Sequence, residues 1–387
     1  MTSSWRTLMF LIIVIGVWTL MHVYVGSRLW NLPAAAGPAW HRGVLVAGVL
    51  LWLSFPLGQF LVRSVGRAGL PVELLGSSWL GVLFLLLVGL LAADVVTGFG
   101  WLLPSLSAPA RRLAVFAALA LGVVALVQGF RAPVVKEHTV RVRSLAPEHD
   151  GLRIVQLSDL HLGPILREGW VEARLAQVAA LHPDLVVVTG DLVDQDAALS
   201  VPLAPLFRRI KAPLGVYGVT GNHEYYAGFE QSLAVFESAG IRLLRDSAYE
   251  VAPGLVIAGV DDLTARRQFR LDGQPVARAL GGRPPGATIF LCHSPLDVDR
   301  AASLGADLML SGHTHDGQIW PFTYMVRLAY PRVVGRYDVN GMALIVSRGT
   351  GFWGPRMRLF KRSEIVAVTL IRGWGLGARS WGLGAGG

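Results

Sequence analysis

The sequence predicts a chain of two unlike parts: an all-α apolar region over residues 1–131, followed by an α/β domain over residues 132–372. Two observations carry this. Residues 1–130 hold four long apolar segments and only seven Arg, no Lys and two acids. After them, short runs rich in Val, Ile and Leu, punctuated by Gly, alternate with helical stretches, the order that implies an α/β fold.

The four apolar segments are Leu8–Val25, Val44–Val62, Leu74–Val96 and Leu113–Phe130. Each is close to the ~20 residues that cross a bilayer core of ~30 Å, so four transmembrane helices are expected. Small residues Ala34 to Ala36 follow the first segment, as they would a cleaved signal peptide. Its apolar stretch exceeds the roughly 7–15 residues of such a peptide, which favours an uncleaved helix. Pro56 is expected to kink the second helix, a break that membranes tolerate. Asp94 lies near a helix end, before Thr97-Gly98, where an interfacial position accounts for it as well as a functional one does. Trp5, Trp30, Trp40 and Trp101 flank segments and suit the headgroup layer.

Arg131 to Asp150 reads as a linker with an edge strand at Thr139–Leu145, and helices are expected at Glu168–Ala180, Phe229–Ala239 and Leu296–Leu304. Five strand-like runs end in residues that bind metals. Leu152–Ser158 leads to Asp159-x-His161, Leu185–Gly190 to Asp191, and Gly215–Gly221 to Asn222-His223-Glu224; Ala287–Cys292 leads to His293, and Leu308–Gly312 to His313-x-His315. Sites in α/β sheets lie beyond the carboxyl ends of strands, so these ends can gather their side chains into one cluster. Carboxylate, carboxamide and imidazole without thiolate suit Mn²⁺, Fe²⁺ or Zn²⁺. Seven ligands are too many for one tetrahedral ion. Two divalent ions about 3.5–4 Å apart could hold a phosphate between them.

At these residues the chain resembles the calcineurin-like metallophosphoesterases, whose blocks stand here as Asp159-Leu160-His161, Gly190-Asp191, Gly221-Asn222-His223-Glu224, His293 and Gly312-His313-Thr314-His315. Five blocks in order are a strong signal where one would be weak. The resemblance covers roughly Val140 to Leu370 and implies a two-sheet β-sandwich flanked by helices. It implies that Asp159, His161, Asp191 and His315 hold one ion, with Asp191 bridging to a second held by Asn222, His293 and His313. It also implies that His223 meets the phosphate or protonates the leaving oxygen, with Glu224 orienting it. Gly317-Gln318, Ser347-Arg348-Gly349 and Trp353-Gly354-Pro355 look like the membrane-anchored branch of this family; Asp316 departs from it, standing where Gly is expected.

The remaining features are read as structural. His22, His41, His138, His149 and His182 lie outside every block. Cys292 is the only cysteine, which excludes an intrachain disulfide; next to His293 on a strand, it should face the other way as a small buried hydrophobe. The net charge of +9 does not point to nucleic acid. Of 35 basic residues 32 are Arg, and the part after residue 130 has no basic run or recognition motif. The tail over 373–387, rich in Gly, is expected to be disordered.

Aromatic and basic residues cluster after the last ligands, first at Trp320, Phe322, Tyr324, Met325, Leu328 and Tyr330, interleaved with Arg327, Arg332 and Arg336, then at Phe352, Trp353, Arg356, Arg358, Phe360, Lys361 and Arg362. Such composition suits a lipid surface, and equally a core with a solvated strand edge. The expected activity is a membrane-bound, metal-dependent phosphodiester or pyrophosphate hydrolase acting on a lipid or nucleotide-lipid phosphate, with Mn²⁺ as the first choice of metal. The alternatives are a membrane-tethered protein phosphatase and, last, a transporter or receptor with a regulatory metal domain. On the side of both termini stand Arg6, Arg63, Arg67, Arg131, Lys136, Arg141 and Arg143, against Arg28, Arg42, Arg111 and Arg112 opposite. That bias predicts a multi-pass protein of the cell (inner) membrane with its catalytic domain in the cytoplasm.

Overall fold

The computed structural model describes residues 3–32, 37–271 and 273–373, with side chains from Ile12 onward. Ala34–Ala36, the side chain of Trp5 and the expected tail beyond Gly373 lie outside the described residues. The chain forms two compact units.

The helical unit contains α1 (Ser3–Trp30), α2 (Pro38–Val65), α3 (Leu70–Val96) and α4 (Pro104–Phe130). Each contains one expected apolar segment and extends beyond it, because polar and Pro-containing flanks continue the helix past the apolar stretch. The lengths of 27 to 28 residues correspond to about 40 Å at ~1.5 Å per residue. A 3₁₀ turn at Gly66–Gly69 joins α2 directly to α3. By length and apolarity the segments Ile12–Trp30, Pro38–Val96 and Pro104–Phe130 are able to cross a membrane, the middle one comprising both α2 and α3. The helix continues through Pro56.

Asp94 is fully buried: its carboxylate meets Arg28 Nε at 2.6 Å, Arg111 at 2.7 Å and the Tyr24 hydroxyl at 2.7 Å. This acid therefore ties α1, α3 and α4 together. Two short pieces from the expected catalytic segment, Gln318–Trp320 and Gly354–Arg362, belong to this unit. Their Ile319, Met357 and Leu359 pack with Leu83, Leu86, Leu90 and Ala125, and the Arg358 amide donates to the Ala125 carbonyl at 2.8 Å.

The α/β unit contains β1 (Val134–Val142), β2 (Arg153–Leu157), β3 (Leu185–Thr189), β4 (Val216–Val219), β5 (Arg242–Leu243), β6 (Ser247–Ala252), β7 (Leu255–Gly259), β8 (Ala287–Leu291), β9 (Leu308–Ser311), β10 (Gly335–Val339), β11 (Met342–Val346) and β12 (Glu364–Arg372). They form two mixed six-stranded sheets, in the orders β1-β12-β2-β3-β4-β5 and β10-β11-β9-β8-β7-β6. The edge strand expected at Thr139 starts five residues earlier. Its polar opening, Lys136-Glu137-His138, hides a strand whose whole length pairs in parallel with β12, from Val134 opposite Glu364 to Val142 opposite Arg372.

Strand alternation explains why both faces of each sheet are buried. In β3, Leu185 and Val187 point into the core between the sheets, while Val186 and Val188 meet the helices Glu168–Ala179 and Phe229–Ala239. In β8, Ala287, Ile289 and Leu291 face inward and Phe290 faces the helices Pro275–Gly281 and Val298–Ser303. Continuous apolar runs are the sequence signature of such doubly covered strands. Cys292 falls in the outer layer and is fully buried, as the alternation from His293 predicts. The result is the two-sheet sandwich with flanking helices that the resemblance implies.

Candidate metal centre

Every expected ligand stands just past the carboxyl end of a strand: Asp159 and His161 after β2, Asp191 after β3, Asn222 after β4, His293 after β8, His313 and His315 after β9. Three of these strands belong to one sheet and two to the other. Gln156 crosses between the sheets, its amide donating to Thr189 Oγ1 at 2.8 Å and to the Ser311 carbonyl at 2.9 Å. Backbone bonds then interlock the loops: Asp159 N–H to Gly190 O at 3.1 Å, His161 N–H to Asp191 O at 2.9 Å, Gly312 N–H to His293 O at 2.8 Å.

The glycines of the blocks permit this crowding. A side chain at Gly221 would overlap the Asp191 carboxylate, and one at Gly312 would overlap Ser158 Oγ and the Asp159 carboxylate. Asp159, His161, Asp191, His313, His315 and Asp316 all adopt positive φ, between 48° and 72°. Concentrations of such conformations mark functional sites. Asp316 illustrates the tolerance: it holds the left-handed geometry that the expected Gly would favour, a conformation Asp enters more readily than most residues. Its carbonyl accepts the Thr323 hydroxyl at 2.6 Å.

Two groups of donor atoms result. In one, His315 Nε2 lies 3.4 Å from Asp159 Oδ1 and 3.1 Å from His161 Nε2. In the other, His293 Nε2 lies 3.3 Å from Asn222 Oδ1 and 3.3 Å from His313 Nδ1. Asp191 Oδ2 stands between them, 3.7 Å from His161 Nε2 and 3.2 Å from His293 Nε2. Crowded imidazole and carboxylate atoms at these separations suit a cation, and Asp159-His161-His315 and Asp191-His293-His313 each form a set that could hold a metal ion. Tautomers agree: His293 Nδ1–H donates to the Thr189 carbonyl at 2.7 Å, which leaves Nε2 bare for a ligand role.

The comparisons with known proteins bear on these same residues. The family model described as calcineurin-like phosphoesterase matches residues 152–317. A Danio rerio protein named "Transmembrane protein with metallophosphoesterase domain" is 34% identical across 83% of this chain and 79% of its own length. This chain is a calcineurin-like metallophosphoesterase. The Danio rerio match covers more of the chain than residues 133–373 comprise, so it reaches into the helical region. A Bos taurus protein of the same name is 37% identical over 67% of this chain and 62% of its own length, and an "Uncharacterized metallophosphoesterase" of Aquifex aeolicus is 37% identical over 61% and 91% respectively.

In this metallophosphoesterase the partner of His223 differs from the expected one. The Glu224 carboxylate accepts backbone N–H groups of Asp191, Leu192, Val193 and Gly221, so it clamps the Gly-Asp loop to the Gly-Asn-His turn. Asp194 faces His223 instead. His223 Nδ1–H donates to the Asp194 carbonyl at 3.1 Å, and Asp194 Oδ1 stands 3.5 Å from Nδ1 of both His223 and His161. Burial alone would lower the His223 pKa, yet the Asp191 charge and Asp194 hold it up at about 9. Burial would raise that of Asp194, and the two imidazoles bring it down to about 2. The signal for Asp194 was present in Gly190-Asp191-x-x-Asp194, a carboxylate three residues past a ligand.

The aromatic and basic clusters divide. Phe352 is a core residue and Arg358 is buried, whereas Trp320 and Trp353 are exposed and Phe322 is half-buried. The helix Phe322–Ala329 exposes Tyr324, Met325 and Leu328, the last by 89%. Arg327 stands over the Tyr324 ring at 5.7 Å.

Proposed function

We propose that the protein is a membrane-bound, binuclear metal-dependent hydrolase that cleaves a phosphodiester or pyrophosphate bond in a lipid or nucleotide-lipid. The observation that carries this reading is the Asp191 carboxylate oxygen lying between two complete donor groups, in a chain that also contains long apolar helices. Asp159, His161, Asp191 and His315 would hold one divalent ion and Asp191, Asn222, His293 and His313 the other, with Mn²⁺ the first choice and Fe²⁺ or Zn²⁺ the next. When bound, two such ions supply Lewis-acid charge to the phosphate and a nucleophile from water.

The chain's own groups do the rest. His223 keeps its Nδ1–H on Asp194, so Nε2 is free to carry a proton toward the leaving oxygen. Glu224 fixes the two loops from which Asp191, Asn222 and His223 project. Four helices cross the membrane in this reading, with both ends and the catalytic unit in the cytoplasm. A C-terminal reporter active only outside the cytoplasm would reverse that orientation.

The lipid assignment is supported by the apolar face of Phe322–Ala329 with its adjoining Arg327, a combination suited to headgroups and anionic phosphate. The test varies the acyl chains. kcat/KM on a phosphodiester series should rise with acyl length in mixed micelles. Tyr324→Ser, Met325→Ser and Leu328→Ser together should remove that rise while sparing a small soluble diester. A preference for phosphopeptides would transfer the assignment to a protein phosphatase.

A further inference from the structure

Behind His313 lies a chain of hydrogen bonds that no ligand block contains. Tyr330 Oη is 2.7 Å from His313 Nε2 and 3.3 Å from Thr264 Oγ1; Thr264 Oγ1 is 2.7 Å from Ser294 Oγ; Ser294 Oγ donates to Asp262 Oδ2 at 2.6 Å. Asp262 is fully buried just after β7, and its second oxygen accepts the Ala265 N–H at 2.6 Å. The Tyr330 ring stands edge-on to His313 with centroids 4.9 Å apart. Tyr330 itself is fixed at the end of the helix Phe322–Ala329, its amide donating to Val326 O at 2.9 Å.

The direction of every bond in this chain follows from its ends. A carboxylate only accepts, so Ser294 spends its proton on Asp262 and accepts from Thr264. Thr264 then accepts from Tyr330, and Tyr330 accepts from His313 Nε2–H. That order leaves His313 Nδ1 without a proton, and Nδ1 is the atom that faces His293 Nε2 at 3.3 Å. A ligating imidazole whose other nitrogen donates toward a carboxylate is fixed in tautomer and orientation and made more basic.

We infer that Tyr330 is a positioning residue for the second metal: through Thr264 and Ser294 it connects His313 to Asp262 and sets the His313 tautomer that binds the ion. The inference rests on the binuclear reading above. Outer partners of this kind are typically worth about 10–100-fold in metal affinity.

The experiment is a calorimetric titration of the metal-depleted full-length protein in detergent with Mn²⁺, and separately with Co²⁺ while following its visible absorption. The parent should bind two ions per chain. Tyr330→Phe keeps the ring and removes only the hydroxyl; it should bind the first ion as the parent does and the second about 10–100-fold more weakly, with an altered Co²⁺ band for that ion. Asp262→Asn should give a similar loss, and the double variant no more than the larger single effect, because both act through one chain. Circular dichroism and thermal melting check that each variant is folded, and Ser294→Ala substitutes for Asp262→Asn if the latter is not. Unchanged second-ion affinity in Tyr330→Phe would overturn the assignment while leaving the binuclear reading intact. A parent that binds one ion would overturn both.

Discussion

Replacing Asp194 by Asn should move the alkaline limb of the rate profile down by about one pH unit without emptying the metal site. Asp194 has its pKa held at about 2, near two units below an ordinary aspartate, by the two imidazoles that flank it. Asp194 is in turn one of the groups that hold the His223 pKa up, and a displacement on the order of one unit, about 1.4 kcal/mol, is expected when its charge is removed. As a proton donor His223 must be protonated, so activity falls as pH rises through its pKa, and losing the Asp194 charge brings that fall to lower pH. Cations bound beside Asp191 would lower the absolute value in parent and variant alike, which makes the displacement between them the quantity to read.

The Asp194 carbonyl is retained in the variant and still accepts His223 Nδ1–H, so the tautomer persists. The loss near neutral pH should accordingly be about tenfold or less, against about 10²–10⁴ for His223→Ala. The assay is kcat against pH at saturating Mn²⁺ on aryl phosphodiesters whose leaving groups span a range of pKa, with metal content measured in parallel. An unmoved alkaline limb would refute the reasoning. So would an equal loss on good and poor leaving groups accompanied by loss of metal, which would place the role of Asp194 at His161 instead.

Two other perturbations test the frame around this one. Asp191→Ala removes the oxygen between the donor groups and should lower kcat/KM by about 10³-fold or more, about 4 kcal/mol of barrier, with fewer than two ions per chain by elemental analysis; two retained ions would show that Asp191 is not shared. Asp94→Asn leaves Arg28 and Arg111 without their buried carboxylate and should destabilise the helical unit by about 2–4 kcal/mol. Thermal melting in detergent reads that loss, and an unchanged midpoint would mean that the cluster is dispensable for packing.

What was legible in the sequence was what strand periodicity delivers. Buried strands are continuous apolar runs, each expected ligand stands one to three residues past such a run, and strand ends converge by topology, so the gathering of these seven side chains could be read from order and spacing. Asp262 follows the same grammar, since Leu255–Gly259 is an apolar run that leads to Asp261-Asp262, and it was readable on that ground. Tyr330 was not: it reaches His313 through the turn of a short helix, and no spacing rule predicts that. The partner of His223 was misread for a related reason. Glu224 neighbours His223 in sequence, but consecutive side chains on the first turn of the helix Asn222–Tyr226 point in different directions, and the contact comes from Asp194 on another loop. Phe352 and Arg358, which composition groups with surface residues, are buried because packing, not composition, decides burial.

The left-handed residues of the site show how its precision is maintained. Six non-glycine residues around the donor groups adopt positive φ, each at a cost of order 1 kcal/mol. Such a set persists only where the surroundings determine it, and here they do so through bonds that would otherwise be absent. Asp159 Oδ1 accepts the His313 amide at 2.9 Å, Asp191 Oδ1 accepts the His223 amide at 2.9 Å, and Glu224 accepts three amides from the facing loop and the Gly221 amide of its own turn. Asp191 thus uses Oδ1 to hold the neighbouring loop and turns Oδ2 toward the donor groups, whereas Asp159 Oδ1 does both and its Oδ2 accepts the Ser158 hydroxyl. The same helix that exposes Tyr324, Met325 and Leu328 ends in Tyr330, whose hydroxyl meets His313. Substitutions on its exposed face and at Tyr330 therefore separate substrate presentation from ion binding within a single element: the first should alter acyl-chain dependence alone, and the second metal affinity alone.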